Sequence, residues 1–267
     1  MLMLNVHNIV KTFNAGTVNE KVALSGLSLT LADGDFCTVI GGNGAGKSTM
    51  LNAVAGVFPV DSGTIAIDGV DVTKLSEHKR ARYIGRVFQD PMTGTAASMQ
   101  IEENLALAQR RGRKRTLRAG ITKAEREEYR VLLKILDLGL EDRLTSKVGL
   151  LSGGQRQALT LLMASLVRPK LLLLDEHTAA LDPKTAAKVL EATEMIVEKD
   201  HLTTLMVTHN MKDAIAHGNR LIMMKEGRII LDIRGEEKKK LTVEDLLEQF
   251  NLASGGEEFA NDRMILG

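Results

Sequence analysis

The sequence predicts an α/β fold with a mainly parallel sheet, and three observations support this prediction. In residues 35–49, DFCTVIGGNGAGKST, an apolar run typical of a short buried strand breaks into a glycine-rich loop, and a helical segment follows. Residues 171–174 are all leucine, without polar alternation, as in a strand that is buried on both faces. The later strand candidates are separated by helical segments, which favours parallel pairing.

The glycine-rich loop fits the phosphate-loop pattern G-x-x-x-x-G-K-[ST]. Glycines let backbone N–H groups converge on a polyphosphate, and the helix that follows adds its unpaired N–H groups and the positive end of its dipole. We therefore expect a P-loop NTPase core, in which Lys47 contacts the β- and γ-phosphates and Ser48 binds Mg²⁺. The predicted nucleotide-binding residues of this loop are Gly41, Asn43, Gly44, Ala45, Gly46, Lys47, Ser48 and Thr49.

The segments on both sides of this loop predict an N-terminal antiparallel β subdomain. Residues 2–13 and 22–31 alternate in part between apolar and polar side chains, as strands with one exposed face do. Residues 64–67 form a further short strand that ends at Asp68-Gly69, a strong turn signal. Residues 83–88 are the next strand candidate.

Residues 90–165 are predicted to be an inserted, mainly α-helical subdomain. Residues 101–118 and 122–138 are charged and have a helical period. Thr122 followed by Glu125 matches the capping box that begins many helices. The sequence therefore predicts a helix on each side of residue 120.

One domain is expected over residues 1–235, with the helical subdomain inserted in it. A charge run begins at Glu236, and residues 242–250 predict a short amphipathic helix. The residues after it are rich in Gly and Glu. Residues 236–267 are therefore expected to form a short C-terminal helix and a flexible tail.

The composition excludes several classes of function. The formal net charge is +1, and only 3% of the residues are aromatic, without Trp, so nothing indicates a nucleic acid partner. Cys37 is the only cysteine, so no disulfide can form within the chain, and we expect it to be a small buried residue. No run of about eighteen apolar residues occurs, so the chain is not expected to cross a membrane or to be secreted.

Asp175 and Glu176 follow the run of leucines, at the end of the strand where parallel α/β sheets bind ligands. Asp175 is placed to hold Mg²⁺, and Glu176 is placed to polarise a water molecule for attack on the γ-phosphate. Many strands end in acidic residues. The pair therefore indicates hydrolysis only in combination with the phosphate loop.

A second potential anion site is LSGGQ, which contains Ser152, Gly153, Gly154 and Gln155 at the start of a helical segment. A serine and two glycines at a helix N-terminus form a geometry that binds anions. Two phosphate-binding helix ends in a chain with one nucleotide loop suggest a dimer. The alternative is an ordinary capped helix, which the same residues would also form.

The segments GGNGAGKST, VFQDP, LSGGQ, LLLLDE, AALD and VTHN occur in this order, and the chain resembles the nucleotide-binding subunits of ABC transporters. The resemblance extends to about residue 235. It implies ATP and Mg²⁺ as cofactors, a homodimer of ATPase subunits, and a separate integral membrane permease that an extracellular substrate-binding protein supplies. It also implies a peripheral position on the cytoplasmic face of the cell membrane.

The resemblance assigns a role to each matched residue. Glu176, Lys47, Gln89 and His209 would be catalytic, with Gln89 sensing γ-phosphate and metal and touching the permease. Ser152, Gly153, Gly154 and Gln155 would meet the γ-phosphate bound to the opposite subunit, and Asp182 would couple the two sites. Ser48, Gln89 and Asp175 would hold Mg²⁺. Phe13 would stack on adenine, although a core phenylalanine would look the same in the sequence.

His177 departs from the pattern, because the family usually has Pro directly after the catalytic Glu. Since Glu176 is retained, hydrolysis is expected to survive with an altered local turn. The stretch LLLLDEHTAALDPKTA looks like the ATPases of bacterial importers whose permeases are of the branched-chain amino-acid and ribose type. An aromatic or other amino acid is then a possible cargo.

Other classes of function remain open at this point. A GTPase or nucleotide kinase would share the phosphate loop, but N-K-x-D and a use for LSGGQ are missing. An exporter ATPase or an iron–sulphur assembly ATPase fits the same segments, whereas a DNA-repair clamp would need long coiled-coil heptads. A basic cluster either contacts the membrane or permease or is simply solvated; it comprises Arg110, Arg111, Arg113, Lys114, Arg115 and Arg118.

Overall fold

The computed structural model describes residues 2–112 and 120–253, which fall into two compact units. The first unit combines the residues up to Tyr83 with those from Thr203 onward, and the second unit is Ile84–Leu202. The predicted tail at 254–267 lies outside the described residues, and so do Arg113, Lys114, Arg115 and Arg118 of the basic cluster.

The structure is α/β, as predicted. Its strands are β1 (Leu2–Phe13), β2 (Lys21–Ala32), β3 (Phe36–Gly41), β4 (Ser62–Ile67), β5 (Val70–Asp71), β6 (Ile84–Val87), β7 (Leu171–Asp175), β8 (Thr204–Val207), β9 (Arg220–Lys225) and β10 (Arg228–Arg234). Its helices are α1 (Lys47–Ala55), α2 (Glu77–Arg80), α3 (Ile101–Gln109), α4 (Lys123–Lys134), α5 (Gly153–Ser165), α6 (Pro183–Asp200), α7 (Met211–Ala216), α8 (Gly235–Lys239) and α9 (Val243–Ala253).

The first unit contains the predicted antiparallel sheet, with strand order β2-β1-β4-β5. The turn at Asp68-Gly69 joins β4 to β5, and both of its residues have positive φ, 50° and 75°. A two-residue hairpin loop of type I′ needs positive φ at both central positions, and Gly adopts it without steric cost. The turn signal in the sequence therefore gave the correct strand ending.

A second, mostly parallel set of strands in the first unit has the order β10-β9-β3-β8. β3 pairs in parallel with β8 and β9, and β9 returns through the turn at Glu226-Gly227 to pair with β10. All residues of β3 are buried, as the unbroken apolar run predicts. The parallel pairing brings the carboxyl ends of β3 and β8 to the same edge.

Helix α9 packs on the core of the first unit. Its residues Leu246 and Phe250 are buried in one hydrophobic cluster with Ile40, Met211 and Leu221. The charge run before it is helix α8, in which the buried Lys238 donates hydrogen bonds to the backbone carbonyls of residues 217 and 218. The apolar cluster of the first unit therefore includes residues beyond position 235. The domain boundary expected at residue 235 stays a prediction.

The second unit pairs β6 and β7 in parallel and contains helices α3 to α6. Its capping box is present as predicted: the Glu125 N–H donates to Thr122 Oγ1 at 3.2 Å, and the Thr122 N–H donates to Glu125 Oε2 at 2.7 Å. The predicted helix over 101–118 is too long, because α3 ends at Gln109 and Gly112 has a φ of 74°. Helix α4 likewise ends at Lys134, before residue 138.

The first two arginines of the basic cluster belong to the internal bonding of the second unit. Arg110 donates to the Ala106 carbonyl at 2.9 Å and pairs with Glu125 at 3.2 Å. Arg111 donates to the carbonyls of Ala164 and Val167, near the end of α5, and burial lowers its pKa. Helix ends leave carbonyls without intrahelical partners, so these guanidinium groups stabilise α3 and α5.

Within residues 2–112 and 120–253, no helix is long and apolar enough to span a bilayer. Cys37 is buried in β3 as expected, and burial raises the pKa of its thiol to about 12. It is therefore a packing residue rather than a reactive one.

Candidate functional site

The glycine-rich loop between β3 and α1 can adopt its conformation only because its first and last glycines lack side chains. Gly41 has a φ of 150°, and a Cβ there would lie 2.3 Å from the Met224 carbonyl oxygen. Gly46 has a φ of 99°, and a Cβ there would lie 2.7 Å from the Ala23 carbonyl oxygen. The sequence therefore needs glycine at the first and last glycine positions of the phosphate-loop pattern for backbone reasons.

Lys47 begins helix α1 and is only 5% exposed. Its ammonium group donates to the carbonyl oxygens of Gly41 at 2.6 Å and Gly42 at 3.2 Å, so it lies across the loop. Gly46, the N-cap, has no side chain with which to cap the helix. The N-terminal N–H groups of α1 and the lysine thus concentrate positive potential at the loop, which suits a phosphate.

The other end of α1 is fixed by Arg80, a residue that the sequence reasoning missed. Arg80 is buried and donates to the carbonyls of Ala53 and Val54, both at 2.8 Å, and to Leu75 at 2.8 Å. Burial lowers the pKa of its guanidinium group. No sequence pattern marks a capping residue that lies so far along the chain from the helix that it caps.

His209 lies at the same edge of the first unit as the loop. Val39 is paired with Val207, and the Thr208 N–H donates to the Val39 carbonyl at 3.1 Å. His209 is the next residue in the chain after Thr208, and its side chain is half-buried. Its position at the end of β8 agrees with the expectation that it follows a strand at the ligand edge.

Phe13 is half-buried and packs edge to face against Phe58, with ring centroids 5.2 Å apart and an interplanar angle of 83°. The ammonium group of Lys11 lies 5.6 Å from the Phe13 centroid and 5.7 Å from that of Phe58. Lys11 also pairs with Asp61 at 2.7 Å, and this hydrogen bond lowers the pKa of Asp61. Phe13 is thus supported on one side, and part of its surface remains exposed.

In the second unit, Asp175 is the last residue of β7, and Gln89 lies two residues after the end of β6. Since Val87 of β6 is paired with Leu174 of β7, these two strand ends lie side by side. An open cleft of about 480 Å³ lies at these strand ends; it is lined by Phe88, Gln89, Asp90, Pro91, Thr93, Asp175 and Ala180. The Arg86 guanidinium lies 3.6 Å from the Asp175 carboxylate. The two strand ends therefore bring the predicted Gln89 and Asp175 to one cleft.

Glu176 is 7% exposed and has a φ of 46°. A residue with a side chain rarely adopts this left-handed conformation, which persists only where the surroundings fix it and is frequent at functional sites. The Ala179 N–H donates to the Glu176 carbonyl at 3.0 Å, so a turn begins directly at this residue.

The LSGGQ segment forms a capped helix start. The Gln155 N–H donates to Ser152 Oγ at 3.3 Å, and the Ser152 N–H donates to Gln155 Oε1 at 3.2 Å. Ser152 and Gly153 are exposed, whereas Gly154 is buried against Thr185 of α6. The structure has the geometry of the capped helix, and Ser152 and Gly153 form its exposed tip. The anion-binding role of this tip stays a prediction.

Asp182 is the N-cap of α6 and accepts a hydrogen bond from the Thr185 N–H at 3.1 Å. Hydrogen bonds from Thr185 hold the pKa of the Asp182 carboxyl below its usual range. Asp182 is exposed, so its predicted coupling role does not conflict with its position.

The predicted magnesium ligands are a serine hydroxyl, a glutamine amide and an aspartate, all of which offer oxygen atoms. Mg²⁺ prefers such ligands and keeps several water molecules, so few protein groups are needed. Among the described residues, no cluster of three or more His, Cys, Asp or Glu could hold a metal ion. The oxygen donors of Ser48, Gln89 and Asp175 are of the kind that Mg²⁺ prefers, so the predicted ligands fit this ion in their chemistry.

A buried lysine lying across a glycine loop and acidic residues at a strand end define a nucleotide-hydrolysing protein of the P-loop class. The sequence profile described as ABC transporter matches residues 24–179. The chain belongs to the ABC transporter family and is an ATPase of that family.

Two curated relatives and one solved structure illustrate the similarity. The tyrosine transport ATP-binding protein of Clostridioides difficile is 46% identical over 252 residues, 94% of this chain and 100% of that protein. The methionine import ATP-binding protein MetN of Rhizobium johnstonii is 37% identical over 212 residues, 78% of this chain but only 56% of that protein. The dimeric ATP-binding cassette MJ0796, in a post-hydrolysis state bound to ADP and Pi, has a TM-score of 0.74 at 29% identity, covering 87% of this chain and 98% of that one.

Proposed function

We propose that the chain is the ATP-hydrolysing subunit of an importer that takes up an amino acid through a separate membrane permease. The observation that supports this most is the 46% identity to a tyrosine transport ATP-binding protein, over the whole length of that protein. The methionine import relative supports an amino-acid cargo in the same way. Tyrosine is therefore the first substrate to test.

In this proposal the glycine loop and Lys47 bind the triphosphate of ATP, and Phe13 stacks on the adenine. Ser48, Gln89 and Asp175 would hold Mg²⁺, which neutralises phosphate charge when bound. Glu176 orients the attacking water and accepts its proton, while His209 donates a hydrogen bond toward the γ-phosphate. The buried position of Glu176 excludes competing bulk water from its carboxylate.

Two copies of the chain would close around two ATP molecules. The exposed tip at Ser152 and Gly153 of one copy would then donate to the γ-phosphate held by the other copy's loop, and Asp182 would couple the two sites. Support comes from the anion-binding chemistry of this helix start and from the dimeric form of the MJ0796 cassette. Because γ-phosphate charge would be neutralised across the interface, closure would depend on ATP.

The subunit would lie on the cytoplasmic face of the membrane, bound to its permease near Gln89. An extracellular binding protein would deliver the substrate to the permease and would not touch this chain. Cargo selection would therefore lie in the partners, and this chain would supply the ATP-driven motion.

The first experiment tests closure. Glu176→Gln keeps the shape of the side chain but removes the base, so this variant should bind ATP, lose steady-state turnover and form a dimer in ATP and Mg²⁺. Light scattering after gel filtration measures the mass with ATP and with ADP. Adding Ser152→Glu to Glu176→Gln should return the protein to monomer, because it places a second negative charge at the γ-phosphate. A Glu176→Gln protein that turns over ATP at the wild-type rate contradicts the assigned role.

The second experiment tests transport. A membrane protein that co-purifies with the chain is reconstituted with it into proteoliposomes, and ATP and a tyrosine-binding extracellular protein are supplied on the opposite sides of the membrane. ATP-dependent tyrosine uptake that Lys47→Ala abolishes supports the proposal. Purification with soluble iron–sulphur assembly proteins instead of a membrane protein would overturn it.

A further inference from the structure

His177 directly follows the LLLLDE segment, at a position where the family usually has proline. Its side chain is buried, at 1% exposed, directly after Glu176. A histidine in this place loses most of its contact with water, and burial of its polar nitrogens is costly unless they are hydrogen-bonded.

The buried imidazole is bonded to helix α6. His177 Nε2 lies 3.1 Å from Thr193 Oγ1, and the Thr193 hydroxyl donates to the Val189 carbonyl at 2.8 Å. A hydroxyl has a single hydrogen, so Thr193 accepts the bond from His177. The imidazole therefore carries its proton on Nε2 and anchors its own backbone to the middle of α6.

The hydrogen bond between His177 and Thr193 lies in a connection whose backbone conformation needs support from its surroundings. Residues 176–182 connect β7 to α6 through turns, with the Ala179 N–H bonded to the Glu176 carbonyl and the Leu181 N–H bonded to the Thr178 carbonyl at 3.1 Å. Glu176 itself has a positive φ of 46°. Such a backbone conformation is stable only if neighbouring groups hold it, and His177 is the adjacent side chain.

We propose that His177 is a positioning residue for Glu176: its hydrogen bond to Thr193 fixes the turn that orients the Glu176 carboxylate. The inference rests on the proposed hydrolytic role of Glu176 and adds the means by which this chain holds that carboxylate without the usual proline. A proline would limit the backbone by its ring, whereas the histidine ties the backbone to α6 through its side chain.

The test removes each partner of the bond. His177→Leu replaces the imidazole with an apolar side chain that has no donor, and Thr193→Val keeps the shape of threonine without its hydroxyl. Each variant should lower kcat for ATP by roughly three- to tenfold, the range expected for one neutral buried hydrogen bond. The Kd for ATP and the KM should stay within twofold of the wild type, because the loop at Lys47 is unchanged. The double variant should be no slower than the slower single variant.

Rescue and a matched control separate positioning from general stability. His177→Gln places an amide N–H near the position of Nε2, and Thr193→Ser keeps the hydroxyl, so both should recover most of kcat. Thr160→Val is the control, because Thr160 is a buried threonine whose hydroxyl donates to the Arg156 carbonyl at 2.9 Å in α5. It should cost similar stability in a urea titration and leave kcat unchanged.

The outcomes are distinct. Absence of ATPase activity in the wild-type protein would contradict the proposed function itself. Wild-type activity together with unchanged kcat in His177→Leu and Thr193→Val would overturn only the positioning role. So would additive losses in the double variant, failure of both rescues, or an equal loss of kcat in Thr160→Val.

Discussion

Gly154 and Thr185 touch only because Gly154 has no side chain: a Cβ at position 154 would lie 1.9 Å from Cγ2 of Thr185. Thr185 is in the first turn of α6 and donates its backbone N–H to Asp182. Gly154 is in the first turn of α5, beside the exposed Ser152. The starts of α5 and α6 are therefore packed without space between them, and a change at either start is transmitted to the other.

Gly154→Ala should reduce ATPase activity at least about tenfold, since the added methyl group would overlap Cγ2 of Thr185 and lie in tight contact with its Cβ, so the packing of the two helix starts must change. Thr185→Ser removes Cγ2 but keeps the hydroxyl and the N–H that Asp182 accepts, so the double variant should regain most of the activity. Steady-state phosphate release measures both, with Thr185→Ser alone as the baseline. If the double variant stays inactive, the methyl group blocks a ligand at Gly154 and the packing explanation is wrong.

The parts of the fold that the sequence predicted are those that local chemistry decides. The strand ending in Gly41 is marked by its apolar run, and the turn at Asp68-Gly69 by residues that accept positive φ. The helix after Thr122 is marked by a capping box that spans three residues. Each of these signals lies within one short segment, so no knowledge of the tertiary structure was needed.

The parts that were missed depend on residues far apart in the chain. Helix α3 was predicted to continue beyond Gln109, because residues 101–118 are charged and have a helical period. In the structure Arg111 instead turns to the carbonyls at the end of α5, more than fifty residues away, as its bonds to Ala164 and Val167 show. Periodicity carries no information about such a partner, so the helix end could not be placed.

In the candidate site, too, the features with local sequence signals were predicted, and those that depend on long-range contacts were missed. The spacing of the glycines and Lys47 placed the phosphate loop correctly as a strand–loop–helix unit, and the roles of its residues remain predictions. The support of Phe13 by Phe58 and the bond of His177 to Thr193 are long-range contacts, and no motif marks the supporting residues. Sequence spacing therefore identified candidate residues for the chemistry, and it missed the residues that support them in the fold.

Lys47→Ala should abolish measurable ATP binding. The lysine is a buried cation of the loop, and its removal takes away the positive charge proposed to bind the phosphates and the donor that the Gly41 and Gly42 carbonyls now have. Titration with a fluorescent ATP analogue measures the Kd, and thermal unfolding without nucleotide reports whether the variant folds. Lys199→Ala, which removes the same charge from an exposed position of α6, is the control and should bind as the wild type does. Equal Kd values for Lys47→Ala and wild type would contradict the assignment of the loop.

Phe13→Leu distinguishes the two interpretations of Phe13. If the exposed part of the ring stacks on adenine, the Kd for ATP should rise by roughly tenfold, because stacking of a base on an aromatic side chain contributes about 1–3 kcal/mol. If Phe13 only packs on Phe58, the Kd should stay constant and the variant should lose stability alone. We expect the first result, because the ring is only half-buried and Lys11 adds positive potential beside it. Inorganic triphosphate, which lacks a base, should bind the variant and the wild type equally well.

Asp232→Asn should destabilise the first unit at neutral pH and have less effect in acid. Arg220 is buried and donates to both carboxylate oxygens of Asp232, at 2.7 and 2.6 Å, so the variant leaves a buried guanidinium without its counter-charge. We expect a loss of about 2 kcal/mol in the free energy of unfolding near pH 7. Burial alone would raise the pKa of Asp232, but the hydrogen bonds from Arg220 and Arg234 outweigh it and lower the pKa to about 2, against an ordinary value of 3.8.

A carboxyl group with a lowered pKa in the folded state stabilises the fold above its unfolded pKa, and the stabilisation is lost as the pH falls through the folded pKa. The difference between wild type and Asp232→Asn should therefore be constant from pH 7 to about 5 and shrink between pH 4 and pH 2. Urea unfolding at pH 7, 5 and 3 measures it, with Asp142→Asn at an exposed loop position as the control for the loss of one negative charge. A difference that grows on acidification would mean that the ion pair does not set the pKa of Asp232.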